Sequence, residues 1–256
     1  MAKVNEIFQT LCAFAPLELQ ADFDNSGFLV GRGSTPVDRV LLSLDITDEV
    51  IDEAISWGAQ LIISHHPLIF SPLRTITDSG DPAGEKVLRL AEAGIAAICM
   101  HTNLDIAQGG VNDVLMDRLG AQTLVPLDAD GCGRIGLLPE PISMELFLKQ
   151  IKECLGVAGL RYVDSGKPIR RLAVMGGSGG SSIRQAAQAG CDCYVTADVK
   201  YHQFLEAREL GLSLIDADHF CTENPVIPDL ADRLRRLYPE IAFRISQTHG
   251  PVIRFA

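Results

Sequence analysis

Short β-branched and apolar runs alternate with helix-patterned segments along nearly the whole chain. That alternation restricts it to an α/β fold with a largely parallel sheet. The pattern predicts strands at 39–45, 60–64, 95–100, 170–175, 193–196 and 212–216. Between them it predicts helices at 48–57, 83–93, 179–189 and 200–210. Gly58, Gly94, Gly190 and Gly211 stand where a helix C-terminus favours a left-handed residue. The N-terminal segment MAKVNEIFQTLCAF spaces Val4, Ile7, Phe8 and Leu11 as one apolar helix face rather than as a signal sequence. From Thr123 to Tyr162 the rhythm breaks at GCGRIGLLPEPISM and then restarts. The chain therefore reads as one α/β unit of two βαβ-based lobes, 1–125 and 165–256, with 126–164 connecting them.

An internal repeat supports the two lobes. A shift of 132 positions aligns the segment starting at Arg39 with that starting at Arg171 without a gap, matching Arg39/Arg171, Ile51/Ile183, Ala54/Ala186 and Gly58/Gly190. Both segments read strand, turn, helix, glycine, strand. A shift of 118 then sets His101-x-x-x-Asp105 against His219-x-x-x-Glu223, each after an apolar strand. Each half thus ends a strand in a histidine-plus-carboxylate pair.

Composition narrows the function. At 256 residues, 47% hydrophobic and 21% charged, the chain can bury a core and is neither disordered nor a disulfide miniprotein. Its net charge of −11 comes without any basic cluster, which argues against nucleic-acid binding. Seven cysteines, none in a Cys-x-x-Cys pair, read as free thiols of a cytoplasmic protein. No apolar run approaches the ~20 residues of a membrane span.

Four of the six histidines follow predicted strands: His65, His66, His101 and His219. Groups at the carboxyl ends of parallel strands share a crevice, so these positions are expected to converge. With Asp105 and Glu223 they supply imidazole and carboxylate donors suited to Zn, Mn or Fe. Five candidate ligands, His65, His66, Asp105, His219 and Glu223, exceed the roughly three that one open catalytic metal takes, and so favour two divalent ions sharing Glu223. Consecutive strand residues face opposite ways, so His65 and His66 both bind only if the chain has already turned, as Pro67 suggests. In HFCTENP, Thr222 is placed to cap a helix that sets His219 and Glu223 on one side. Hydrolysis by metal-activated water follows as the most economical chemistry, with Glu223 at the metals and a nearby histidine moving the proton.

The other candidates carry less. The glycine loop GGSGGSS (176–182) matches neither nucleotide-binding fingerprint and reads as a permissive turn. Asp198 and His202 read either as accessory groups of the same crevice or as a helix start capped by Asp198. His249 shows no such partner, and Trp57 and the scattered phenylalanines read as core.

The ordered set DNSGFLVG (24–31), SLDIT (43–47), SHHPLIF (64–70), HTNLD (101–105), GGSGG (176–180), TADVKYH (196–202) and DADHFCTE (216–223) resembles the NGG-interacting-factor-like proteins, the GTP cyclohydrolase I type 2 family. The resemblance spans almost the whole chain. It implies two similar α/β lobes with a dinuclear metal centre in the cleft between them. His65, His66, Asp105, His219 and Glu223 would be its ligands, Glu223 would contact both ions, and His101 would stand beside them. It further implies a homohexameric ring and opening of the GTP imidazole ring by metal-activated water. The family pattern has glycine where this chain has Asp218, and Thr-Gly-Asp where it has Thr196-Ala197-Asp198; Asp218 brings an added negative charge toward the cations. The first expectation is accordingly a metal-dependent hydrolase of a nucleotide or related heterocycle, with His101 and Glu223 catalytic. The rival expectations are a ring-forming adaptor or DNA-damage-associated factor without turnover, and a metal-storage protein.

Overall fold

The computed structural model describes residues 1–255. In chain order its elements are α1 (Val4–Phe14), β1 (Gly27–Val30), β2 (Arg39–Ser43), α2 (Asp48–Trp57), β3 (Leu61–Ser64), α3 (Pro82–Ala93), β4 (Ala96–Cys99), α4 (Thr102–Ile106) and α5 (Val111–Arg118). There follow β5 (Gln122–Pro126), β6 (Arg134–Ile142), α6 (Met144–Leu155), β7 (Arg161–Val163), β8 (Ile169–Val174), α7 (Ile183–Gln188), β9 (Cys193–Thr196) and α8 (Tyr201–Glu209). The chain ends with β10 (Ser213–Asp216), α9 (His219–Glu223), α10 (Val226–Leu237) and β11 (Ala242–Ile245). The fold is α/β in two lobes. Every predicted strand and helix is present, and all four glycine stops have positive φ, from 67° to 72°.

The chain divides into two compact units, 1–107 with 227–250, and 108–226 with the described residues from 251 on. The first holds a five-stranded sheet in the order β1-β4-β3-β2-β11. Its β11, β2, β3 and β4 run parallel, and β1 is antiparallel to β4. Leu41, Ile62 and Ala97 on successive strands pack with Val50, Ile51 and Ala54 of α2 and Leu90 of α3. The alternate residues Val40, Leu42, Ile63 and Ile98 are buried as well. Burial of both faces explains why these strands read as unbroken apolar runs.

The second unit holds a six-stranded sheet in the order β5-β6-β8-β9-β10-β7, of which β8, β9 and β10 are parallel. Leu172, Val174, Val195 and Ile215 face a cluster built from α5 and α6, including Phe147 and Ile151. Ala173, Tyr194 and Leu214 face the opposite cluster, with Ile183 and Ala186 of α7 and Ala207 of α8. Side chains thus alternate between two apolar layers with the period of two that a strand imposes. The pair Val40↔Leu61 of the first sheet falls on Leu172↔Cys193 of the second under the same shift of 132 that aligns the sequences. All seven cysteines are free thiols. Among the described residues no helix is long and apolar enough to cross a membrane.

Candidate metal centre

In the first unit, Ser43, Ser64 and Cys99 close three neighbouring parallel strands in register. The residues just beyond them, Asp45, His65 and His66, and His101, therefore emerge along one sheet edge, as the strand-end rule requires. The amides of His65 and His66 both donate to Leu44 O, at 3.2 and 2.9 Å. This is the turn needed to bring two consecutive side chains to one side. His65, His66 and His101 offer ring nitrogens within 4.8 Å of one another, a group able to hold a metal ion. His65 is fully buried, and its Nε2 lies 3.6 Å from Asp105 Oδ1.

Each of these rings is fixed through Nδ1. His65 Nδ1 donates to Met100 O at 2.8 Å, His66 Nδ1 to Asp45 Oδ1 at 2.7 Å and His101 Nδ1 to Asp24 Oδ1 at 2.7 Å. With the Nδ1 proton so engaged, a neutral ring presents its lone pair on Nε2. Asp45 also accepts from His249 Nε2 at 2.9 Å. Asp24 further accepts from the Thr102 amide and hydroxyl, the Ser26 hydroxyl and the Asn25 amide. Burial works to raise the pKa of both carboxyls, but hydrogen bonds from these partners outweigh it and hold Asp24 and Asp45 well below the ordinary carboxylate range.

The second unit repeats the plan. The loop at Gly176 and Gly177, then Asp198, then His219 follow the parallel strands β8, β9 and β10. His219 Nδ1 bonds Asp198 Oδ2 at 2.8 Å, and its Nε2 faces Glu223 Oε2 at 3.0 Å. Burial pulls the His219 pKa down, but Glu223 and then Asp198, by hydrogen bond and charge, push it up to about 9. The ring thus stands between two carboxylates, one at each nitrogen. Glu223 is only 4% exposed.

Several details depart from the sequence reading. The cap of α9 is Asp218, whose carboxylate accepts from the Cys221 amide at 3.0 Å, and not Thr222, which lies inside the helix. Asp218 sits at φ 69°, the left-handed region where glycine is at ease, and its charge is engaged at the helix N-terminus. Asp198 does not cap α8, which begins after Lys200. His202 is exposed on α8. The Gly176, Gly177 and Gly179 amides of the glycine loop donate to Asn112, Thr222 and Thr196 and are not free to cradle a phosphate. The loop's role is steric: a Cβ on Gly177 would come within 2.0 Å of Glu223 Oε1. His249 does have a partner, Asp45. It follows β11, which runs parallel beside β2, so the strand-end rule applies to it too. Asp45 was accessible to that rule as well, standing two residues beyond β2. Asp24 was not, because it precedes a strand whose antiparallel direction the sequence does not reveal.

A family model described as DUF34/NIF3, NGG1p interacting factor 3, matches residues 2–251. A Clostridium perfringens protein named GTP cyclohydrolase 1 type 2 homolog is 35% identical over 253 residues, covering 96% of each chain. The crystal structure of a Staphylococcus aureus hypothetical protein superposes with a TM-score of 0.92 at 28% identity, covering 99% of each chain. A Bacillus cereus protein related to NIF3 gives 0.91 at 26% identity over 100% of both chains. The strand-end histidines thus sit in a chain whose sequence and fold match one family throughout, and the protein belongs to the DUF34/NIF3 family.

Proposed function

We propose that the protein is a metal-dependent hydrolase acting on a nucleotide or related heterocycle. Two divalent cations per chain (Fe, Mn or Zn) would be held by His65, His66, Asp105, His219 and Glu223, and Glu223 would serve both. One observation carries the reading: His65, His66, His101 and His219 all engage Nδ1 with an oxygen at 2.7 or 2.8 Å. That is how metal-ligating histidines are oriented, with the second nitrogen aimed at the ion. Divalent cations bound there supply Lewis acidity and activate water for hydrolysis. His101, steered by Asp24, holds and moves a proton at Nε2. The name of the Clostridium relative supports a GTP-like substrate. The seven free thiols suit a reducing cytoplasm, and the assembly is read as a homohexamer, which light scattering tests as six times the chain mass.

Elemental analysis of metal-replete protein is expected to find two ions per chain. Turnover of a nucleotide panel should vanish in His66→Ala and Glu223→Ala. Fewer than two ions at saturation refutes the dinuclear assignment. Full metal content with no substrate turned over, together with captured protein partners, favours an adaptor, in keeping with the family's description as an interacting factor.

Asp45 provides a sharper test, because it orients His66 without being a proposed ligand. Asp45→Asn should weaken metal binding about 10- to 100-fold in a chelator competition. An unchanged affinity would show that the His66 orientation does not depend on the carboxylate.

A further inference from the structure

The phenylalanines do not all belong to the core. Phe23 is 69% exposed and Phe70 is 51% exposed. Their ring centroids lie 6.4 Å apart at an interplanar angle of 57°. Phe70 stands edge-on to His101 at 6.3 Å, and the His101 ring is 5.2 and 5.4 Å from those of His65 and His66. An exposed aromatic surface therefore abuts the imidazole cluster.

Neither ring is exposed because its backbone is loose. Leu68 and Ile69 pack onto the core of the first unit, so Phe70 is held out by anchored neighbours. Asn25 Nδ2 donates to Ile69 O at 2.6 Å and ties the two loops together. Phe23 occupies the tip of a turn closed by the Asp24 amide on Ala21 O at 2.9 Å. Both ends of that turn are fastened to α4: the Ala21 amide donates to Thr102 Oγ1 at 2.9 Å, and Asp24 accepts from Thr102 and His101. Two aromatic rings fixed in water beside a polar cluster form a binding surface more readily than a packing defect.

We propose that Phe23 and Phe70 are the ring-binding subsite of this centre, taking the flat face of a substrate's heteroaromatic ring by stacking. The inference rests on the metal-hydrolase reading and names the part of the substrate that these residues hold. Aromatic rings pair at centroid separations of about 4.5–7 Å, so a ring stacked on Phe70 brings its substituents beside His101. Stacking uses the π-face that every base presents, so the subsite selects a flat ring over a sugar without choosing between purines.

Saturation-transfer NMR with guanosine, adenosine and ribose on the intact metal-loaded protein tests it. Both nucleosides are expected to bind, with transfer strongest at the base protons, and ribose is not. Phe70→Ala should weaken guanosine binding roughly 5- to 100-fold, while Phe70→Trp restores it. Metal content by elemental analysis should not change in either variant. Equal binding of ribose and guanosine, or unaltered guanosine binding in Phe70→Ala, overturns the proposal. So does a smaller assembly mass for the Phe23→Ala/Phe70→Ala double variant, which would mark the pair as a contact between copies. Failure of the metal reading is separate: it appears as low metal content in the wild type, whatever guanosine does.

Discussion

Gly177→Ala is expected to cost the protein metal and about 100-fold in turnover while leaving the fold intact. The residue sits at φ 61°, and a Cβ there would lie 2.0 Å from Glu223 Oε1 and 3.0 Å from His219 Nε2. Both neighbours are proposed ligands, and Glu223 is too buried to swing into solvent. The carboxylate must shift by an ångström or more, a displacement that commonly costs about two orders of magnitude in rate. Left-handed strain on alanine adds about 1–2 kcal/mol of destabilisation, which a domain of this size survives. Gly156→Ala is the control, since Gly156 has φ 67° with nothing within 4 Å of its would-be Cβ. It should show the strain without the metal loss. If both variants keep full metal and turnover, the close approach of the loop to Glu223 has no functional weight.

The glycine loop also shows where a sequence stops being informative. GGSGGSS announces a turn, but that its second glycine is there to make room for a carboxylate 46 positions later depends on β8 and β10 lying in one sheet. The parallel core was legible because Leu41, Ile62 and Leu172 sit in strands buried on both faces, where the apolar run itself is the signal. The segment 126–164 was not. It contains β6, α6 and β7, and β6 carries Pro139 and Pro141, which read as strand breakers. In the sheet those prolines fall between Leu137 and Ile142, where the pairing register with β8 skips. The helix α6 is absent from the sequence reading although it carries ordinary signals, with Ser143 as cap, apolar Met144, Phe147 and Ile151, and Gly156 as stop. Among site residues, the strand-end histidines were readable from local pattern alone. Asp45 and His249 follow the parallel strands β2 and β11 and obey the same rule, but their pairing across 204 positions is visible only in the fold. Asp24, which meets His101 across 77 positions from before an antiparallel strand, has no local signal.

Asp24→Ala is expected to produce the largest loss of stability of any substitution near the imidazole cluster, about 3 kcal/mol or more in denaturant melts. Its side chain is fully buried and accepts five hydrogen bonds, from the Asn25 and Thr102 amides, the Ser26 and Thr102 hydroxyls and His101 Nδ1. Removing the acceptor strands these donors, each at about 1–3 kcal/mol where water does not re-enter. Asp24→Asn keeps an acceptor and should lose less. It also isolates the charge, and the charge has a pH signature. Burial opposes ionisation, yet the hydrogen bonds of His101, Thr102 and Ser26 hold the folded-state pKa below the unfolded value of about 3.9. A depressed pKa contributes stability that is complete above the unfolded value and disappears as pH falls through the folded one. The stability gap between wild type and Asp24→Asn should therefore stay level from about pH 8 down to about pH 5 and close below about pH 4. A gap that persists at low pH, or none at neutral pH, would mean that the buried carboxylate is held by shape rather than by charge. With the charge gone His101 Nδ1 faces only a neutral amide oxygen, a weaker acceptor than the carboxylate, so turnover in Asp24→Asn should fall further than its small stability loss accounts for.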